Sequence, residues 1–237
     1  MIYFTSDLHF YHPFVAATRG FGPKCDNMNA LIHEVGETEF ARMTNWRKHD
    51  EVVVRHINAR VGKQDELYVL GDLSCGSRDS FEQALHMIDK LYVPPSRRHL
   101  VLGNHDNFKV KDSVRVRLAQ TFGYVSTCEY LYVDGVPIVL THVPLLREMD
   151  GRVKGGLAEN SYSKSMRKHA VNVPVGTLHL HGHTHSLNPF DSKYPLSVNV
   201  GLDAWRLFPV SLSQILCLKA RNSETVGSLL AKAALGA

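Results

Sequence analysis

The sequence predicts an α/β fold in which two β-sheets pack face to face and helices lie outside them. In the N-terminal half, short apolar runs of strand type alternate with amphipathic stretches, which is typical of layered α/β folds. Beyond residue 120 the pattern changes to a hairpin signal followed by further short strands. Because neither a repeat nor a linker divides the chain, we expect residues 1–237 to form one domain.

The N-terminal half is expected to contain three buried strands, at residues 2–5, 66–70 and 99–102. Residues 10–27 include two glycines and two prolines and predict a loop. Residues 28–60 predict two helices with a break near His49 and Asp50. Residues 79–90 predict an amphipathic helix that Asp79 caps, and a charged helical stretch is expected at 107–120.

The C-terminal half begins with a predicted hairpin. Residues 125–133 and Val136–Leu140 are apolar runs that flank Asp134-Gly135, a dipeptide that favours a tight hairpin turn. Further strands are predicted at 178–180, 197–200 and 210–218. Residues 224–235 are good helix formers and predict a terminal helix.

The bulk composition indicates an ordinary globular protein. The net charge of +4 is mild and gives no indication of a nucleic-acid partner. The four cysteines are scattered without a C-x-x-C pair, which argues against a zinc ribbon or a disulfide framework and suits a reducing compartment. We see no signal peptide and no run approaching the roughly 20 apolar residues that span a bilayer. We therefore expect a cytoplasmic protein without a membrane partner, and the oligomeric state stays open.

Five short motifs place Asp, Asn or His where an apolar run ends. They are Asp7-Leu8-His9, Gly71-Asp72, Gly103-Asn104-His105-Asp106, Thr141-His142 and Gly182-His183-Thr184-His185. One such motif alone is usually a turn or a helix cap, but carboxylate, amide and imidazole ligands from separate strand ends can hold two divalent cations side by side. A ligand set without thiolate suits Mn²⁺, Fe or Zn²⁺ rather than Ca²⁺. The motifs therefore predict a two-metal site for hydrolysis of phosphate esters.

The order D-x-H, G-D, G-N-H-D, H and G-H-x-H resembles the calcineurin-like metallophosphoesterase superfamily. The resemblance spans residues 7–185, and the later residues 199–203 (NVGLD) with Trp205 also resemble small bacterial and phage members. It implies a four-layer αββα sandwich with two mixed β-sheets flanked by helices.

The same resemblance implies a role for each motif residue. It implies one ion held by Asp7, His9, Asp72 and His185, and a second held by Asp72, Asn104, His142 and His183. His105 is then expected to face the substrate, with Asp106 orienting it from behind. The expected nucleophile is a hydroxide that bridges the two ions, with Mn²⁺ favoured and Fe or Zn²⁺ as alternatives.

The predicted function is a two-metal phosphodiesterase acting on a small phosphodiester such as a cyclic or linear nucleotide. A DNA or RNA nuclease of the same superfamily is the alternative, and a non-catalytic scaffold is disfavoured by the intact ligand set. His12 and Arg19 are candidates for substrate contact, against a loop or capping role for His12 and a surface position for Arg19. Residues 147–170, with six basic and three acidic side chains, are expected to form either a cationic lid or a solvated surface loop.

Overall fold

The first of two five-stranded sheets is mostly parallel. The computed structural model describes residues 1–106, 112–144, 173, 176–191 and 194–222. The strand order of this sheet is Val210–Ser211 (β10), Ile2–Thr5 (β1), Glu66–Val69 (β2), Arg98–Val101 (β3) and Tyr124–Ser126 (β4). Strands β1 to β4 run parallel, and β10 joins the edge antiparallel to β1. The three N-terminal strands predicted from apolar runs are thus confirmed, with small shifts at their ends.

The second sheet is mixed. Its strand order is Glu129–Val133 (β5), Val136–Leu140 (β6), Leu178–His181 (β7), Tyr194–Asn199 (β9) and Phe190–Asp191 (β8). Strands β6, β7 and β9 run parallel, whereas both edge strands are antiparallel to their neighbours. The predicted β5–β6 hairpin is confirmed, and its turn residues Asp134 and Gly135 have φ of 50° and 81°, as a tight hairpin turn requires.

Seven helices and two 3₁₀ turns accompany the sheets in the described part of the chain. The helices are Pro13–Ala16 (α1, continued by a π-helical turn at Ala17–Phe21), Met28–Val35 (α2), Glu37–Met43 (α3), Trp46–Arg60 (α4), Arg78–Ile88 (α5), Asp112–Thr121 (α6) and Leu212–Asn222 (α7). The 3₁₀ turns are Pro95–Arg97 and Leu202–Trp205.

Two apolar clusters hold these layers together. Alternate residues of a strand face opposite sides of its sheet, so Leu67 packs under helices α4 to α6 while Tyr68 faces the second sheet. The cluster between the sheets joins Phe4 of β1 to Leu180 of β7 and includes Ile215 of α7. The predicted fold class, two mixed β-sheets flanked by helices, is confirmed.

The helical region 28–60 differs from the prediction. It contains three helices rather than two, and His49 and Asp50 lie inside α4 instead of at a break. One break falls at Gly36, whose φ of 83° favours glycine. The other falls just before Asn45, whose side chain accepts a hydrogen bond from the Lys48 N–H at 3.2 Å and so begins a new helix.

The strand predicted at residues 210–218 is wrong beyond Ser211, because the chain becomes helix α7. The Ser211 hydroxyl accepts a hydrogen bond from the Gln214 N–H at 3.2 Å, and the Gln214 side chain accepts one from the Ser211 N–H at 3.0 Å. This reciprocal pair is a capping box, which starts a helix. Leu212 and Ile215 are then buried at helical spacing.

Three smaller predictions are also corrected. Residues 13–21, predicted as loop, are helical, and Ser77 rather than Asp79 caps α5 by accepting the Ser80 N–H at 3.1 Å. Residues 125–133 form two strands in different sheets, because Ser126 pairs with the first sheet and Glu129 with the second. The predicted segments 107–111, 147–170 and 224–235 lie outside the described residues.

None of the helices described has the length and apolar character needed to cross a membrane.

Candidate metal centre

The five motifs meet at one edge of the two packed sheets. Each motif follows the carboxyl end of a parallel strand: Asp7 follows β1, Asp72 follows β2, Asn104 follows β3, His142 follows β6 and His183 follows β7. In open α/β sheets this end of the strands is where ligands commonly bind. The apolar runs therefore act as buried supports that deliver polar side chains to a common site.

The backbone at these strand ends is left-handed. Asp7, His9, Asp72, His183 and His185 have φ of 58°, 46°, 55°, 70° and 48°. This region is uncommon for residues other than glycine, and each such residue costs of order 1–3 kcal/mol. Backbone strain of this kind clusters at active sites and ligand clamps, and here it turns consecutive side chains into one cleft.

Hydrogen bonds tie the strained loops to each other. The Asp7 N–H donates to Gly71 O and the His9 N–H donates to Asp72 O, both at 3.0 Å, so the first two motifs run side by side. The His183 N–H donates to the Asp7 carboxylate, at 2.9 Å from Oδ2, which links the second sheet to the first. The site is thus fixed by the fold and not by flexible side chains alone.

The first donor group consists of Asp7, His9 and His185, whose ligand atoms lie within 4.8 Å of one another. The Nε2 atoms of His9 and His185 are 3.1 Å apart, and His185 Nε2 lies 3.9 Å from Asp7 Oδ1. Asp7 and His9 are buried, whereas His185 is the exposed member that faces the opening.

The second donor group consists of Asp72, His142 and His183. His142 Nε2 lies 3.2 Å from Asp72 Oδ2 and 3.2 Å from His183 Nδ1. Asn104 joins them, because its Oδ1 is 2.9 Å from His142 Nε2 and 2.8 Å from His183 Nδ1. Asp72 Oδ2 is also 3.8 Å from His9 Nε2, so this carboxylate lies between the two groups.

Hydrogen bonds outside the cleft fix which nitrogen of three imidazoles faces it. The Nδ1 of His9 lies 3.2 Å from Ser74 O and that of His142 lies 2.7 Å from Leu70 O. A carbonyl only accepts, so each Nδ1 carries a hydrogen, and in the neutral ring the Nε2 lone pair points into the site. The Nδ1 of His185 donates in the same way to Asp203 at 2.9 Å. Such outer hydrogen bonds are the usual support of metal-binding histidines.

The site electrostatics favour a bound cation. Burial lowers the pKa of His9 well below its usual value, and burial with the charge of His142 lowers the pKa of His183 to about 4, so both are neutral ligands at pH 7. Burial raises the pKa of Asp7. Although burial opposes it, hydrogen bonding to Asp72 raises the pKa of His142 to about 9. A cation would replace that proton between His142 and Asp72.

His105 lies beside the two groups without belonging to either of them. Its ring centre is 5.5 Å from that of His9, and its Nδ1 lies 3.2 Å from Cys75 O, which leaves Nε2 for other partners. Its backbone N–H donates to Asp72 Oδ1 at 2.8 Å. His12 also lies at this rim, with its ring 5.2 Å from that of His9, and burial with the neighbouring His105 lowers the pKa of His12 to about 4.

The resemblance implied that Asp106 orients His105 from behind, but the described hydrogen bonds of its carboxylate go to the backbone and not to the His105 ring. Its carboxylate instead accepts three backbone hydrogen bonds, from the N–H groups of Asp72 (2.7 Å), Leu73 (3.0 Å) and Gly103 (2.9 Å). Burial and the charge of Asp72 raise the pKa of Asp106, whereas the N–H groups of Gly103 and Leu73 favour its ionised form. Asp106 therefore joins the loop after β2 to the loop after β3.

The Arg19 side chain does not lie at the surface, and it is already paired with another side chain. Its side chain is 2% exposed and forms an ion pair with Asp203 at 2.8 Å. Asp203, in the 199–203 motif, was not assigned a role from the sequence, and neither were His49 and Asp50, which lie behind Arg19. Of these three residues, only Asp203 could have been found from the sequence, because it lies in residues 199–203, which resemble small members of the family.

Gly103 is required by the close approach of two loops. A Cβ at this position would lie 2.6 Å from the Asp72 backbone nitrogen and closer still to its carboxylate. Only glycine lets the loop after β3 approach the carboxylate that lies between the two groups.

The donor set fits divalent metal ions. The described residues bring together seven side chains with nitrogen or oxygen donors, at least three of them with a tautomer that aims a lone pair inward. Imidazole, carboxylate and amide oxygen in this combination suit Mn²⁺, Fe or Zn²⁺. The donors thus fall into two groups, with Asp72 in the second group and 3.8 Å from His9 of the first, and their assignment as metal ligands stays a proposal.

Comparisons with known proteins lead in the same direction. The family model for the calcineurin-like phosphoesterase superfamily domain matches residues 32–222. The Gene 66 protein of Mycobacterium phage D29 is 29% identical to this chain over 215 residues, which cover 86% of this chain and 88% of the phage protein. The Gene 66 protein of Mycobacterium phage L5 is 26% identical over 215 residues, which cover 86% of each chain. A solved structure of a protein of unknown function from Aquifex aeolicus aligns with a TM-score of 0.53 at 22% identity, covering 92% of this chain and 98% of that one.

Proposed function

Because the chain belongs to the calcineurin-like phosphoesterase superfamily, we propose that it is a two-metal phosphodiesterase that hydrolyses a small phosphodiester, such as a cyclic or linear nucleotide. The observation that carries this proposal is the position of Asp72 between two donor groups, with His105 beside them. Divalent ions on these groups, with Mn²⁺ expected first, would activate water as a nucleophile and offset the charge of the phosphoryl group.

His105 is proposed as the substrate-facing group. Its Nδ1–H donates to Cys75 O, so the ring is held with Nε2 turned away from the protein backbone. When protonated, this Nε2 can donate to a phosphoryl oxygen or give a proton to the leaving oxygen. His12 stays a candidate for a second substrate contact at the same rim.

The burial and pairing of the Arg19 guanidinium support a phosphodiester substrate rather than a phosphomonoester. A dianionic monoester gains most from a cationic clamp beside the metal ions, and Arg19 was one of the cations that the sequence offered for that role. Its guanidinium is buried and paired with Asp203, so it does not reach the substrate. A diester with a single negative charge needs such a clamp less.

A substrate panel with Mn²⁺ tests the proposed function. We expect hydrolysis of an aryl phosphodiester that chelation abolishes, and a higher kcat/KM for this diester than for the matching phenyl monoester. Full activity in metal-free protein would contradict the metal dependence, and a preference for the monoester would contradict the diester proposal. The panel includes 2′,3′- and 3′,5′-cyclic nucleotides and single-stranded and duplex DNA, because DNA cleavage with steeply salt-dependent binding would favour the nuclease alternative.

The cellular setting is part of the proposal. All four cysteines are free thiols, and Cys25 and Cys217 are exposed. Exposed free thiols suit a reducing compartment, so we keep the cytoplasmic location that the sequence predicted. The single-domain organisation over residues 1–237 stays a prediction.

A further inference from the structure

Arg19 lies behind the first donor group and uses all five of its N–H donors. Nε and one NH2 hydrogen donate to the two oxygens of Asp203, at 2.9 and 2.8 Å. The other NH2 hydrogen donates to Asp7 O at 2.8 Å, and NH1 donates to Leu8 O at 3.3 Å. These two carbonyls belong to the left-handed turn after β1, so Arg19 supports the backbone that presents Asp7.

Asp203 connects Arg19 to His185. Its Oδ2 accepts from Arg19 at 2.8 Å and from His185 Nδ1 at 2.9 Å. An ionised carboxylate has no hydrogen to donate, so it holds the proton of His185 on Nδ1 and leaves the Nε2 lone pair facing His9 and Asp7. The side chain of Asp203 is only 10% exposed, so this link is largely shielded from water.

His49 and Asp50 continue the chain of contacts into helix α4. The second NH1 hydrogen of Arg19 points to His49 Nε2 at 3.1 Å, and His49 Nδ1 donates to Asp50 Oδ1 at 2.8 Å. Asp50 Oδ2 accepts the Tyr11 N–H at 3.0 Å. The side chains of His49 and Asp50 are buried, so α4 and the residues after the first motif are joined through polar groups.

We propose that Asp203 is a positioning residue that orients His185 toward a bound metal ion, and that Arg19, His49 and Asp50 support Asp203 in that role. This inference rests on the proposed two-metal function. A merely structural role predicts lost stability alone, whereas a positioning role predicts lost metal affinity that acts through His185.

Asp203→Asn tests the inference. All three contacts of Asp203 come from donors, so the amide nitrogen of asparagine must face a donor. If it faces His185, the ring adopts the other tautomer and its Nε2 lone pair is lost from the site. We expect the affinity for one of two Mn²⁺ ions to fall about 10–100-fold, measured by calorimetric titration of metal-free protein. Asp89→Asn is the matched control, because Asp89 pairs with Arg117 outside both donor groups.

A double variant separates positioning from general destabilisation. If Asp203 acts through His185, adding Asp203→Asn to His185→Ala should cause no further loss of Mn²⁺ affinity. An equal additional loss in that background, or unchanged affinity in Asp203→Asn alone, would overturn the positioning role while leaving the proposed function intact. Wild-type protein that binds no Mn²⁺ would overturn both.

A measurement on the wild-type protein covers the case in which Asp203→Asn does not fold. Long-range ¹H–¹⁵N correlation spectra of the metal-free protein, at a pH where the ring is neutral, report the tautomer of His185. We expect the hydrogen on Nδ1, bonded to Asp203. A predominant Nε2–H tautomer would overturn the inference without any variant.

Discussion

Replacing Asp72 with alanine is expected to remove both metal ions and to reduce phosphodiester turnover to background. Asp72 Oδ2 lies 3.2 Å from His142 Nε2 and 3.8 Å from His9 Nε2, so this one carboxylate lies between the two donor groups and is proposed to serve both. Its loss also leaves a buried cluster of imidazoles with Asp7 as the one remaining carboxylate of the two donor groups to balance a cation. Metal analysis of the purified variant and turnover of the aryl diester check the result, with the exposed Asp26→Ala as the control.

His105→Ala is the contrasting variant in the same experiment. His105 belongs to neither donor group and is held through Cys75 O, so both ions should stay bound. If His105 acts as a general acid, kcat should fall roughly 10²–10⁴-fold. The exposed His33→Ala, on α2, is the matched control. Equal loss of metal in Asp72→Ala and His105→Ala would contradict the separate roles of the two residues.

The positions of the ligand motifs could be predicted because they depend on a simple local pattern. Asp7 and Asp72 follow runs that are buried on both faces of a parallel sheet, and such runs are apolar throughout. Parallel strands end at the same edge, so polar residues that follow them must meet there. The hairpin could be predicted for a similar local reason, because Asp134 and Gly135 favour the turn that it requires.

The secondary-structure predictions were wrong where one feature of the sequence favours one structure and a hydrogen bond favours another. The run at residues 210–218 is apolar enough for a strand, but the reciprocal Ser211–Gln214 hydrogen bonds start a helix. A helix break was expected near His49 and Asp50, and polar residues such as these are usually exposed. They are buried in α4 because Arg19 and the Tyr11 N–H supply their partners.

The supporting residues of the site could not be predicted because their partners are remote in sequence. Arg19 pairs with Asp203, 184 positions away, and no local pattern marks that pair. Asp106 illustrates a different limit. The G-N-H-D motif places it next to His105, which favours a catalytic interpretation, but its carboxylate faces the backbone of another loop 34 residues away.

Removing the Asp106 carboxylate is expected to damage the fold of the site before it affects catalysis. Asp106→Ala leaves three backbone N–H groups, of Asp72, Leu73 and Gly103, without their acceptor in the protein interior. Each buried unsatisfied donor costs about 1–3 kcal/mol, and because single substitutions rarely cost more than about 5 kcal/mol we expect the lower end of the sum, a loss of roughly 3–5 kcal/mol in the free energy of unfolding. That is a large part of the 5–15 kcal/mol, approximately, that stabilises a typical domain.

The loss should extend to metal binding, because the freed backbone carries Asp72. Asp106→Asn should fall between the wild type and Asp106→Ala, since its amide keeps one acceptor oxygen but turns an NH2 group toward N–H donors. Denaturant unfolding and Mn²⁺ titration of both variants check the prediction against the exposed Asp26→Ala. If Asp106 acts instead by orienting His105, both variants should keep wild-type stability and metal affinity and lose only kcat. The placement of the Asp106 carboxylate, on three backbone donors and away from the His105 ring, favours the structural outcome.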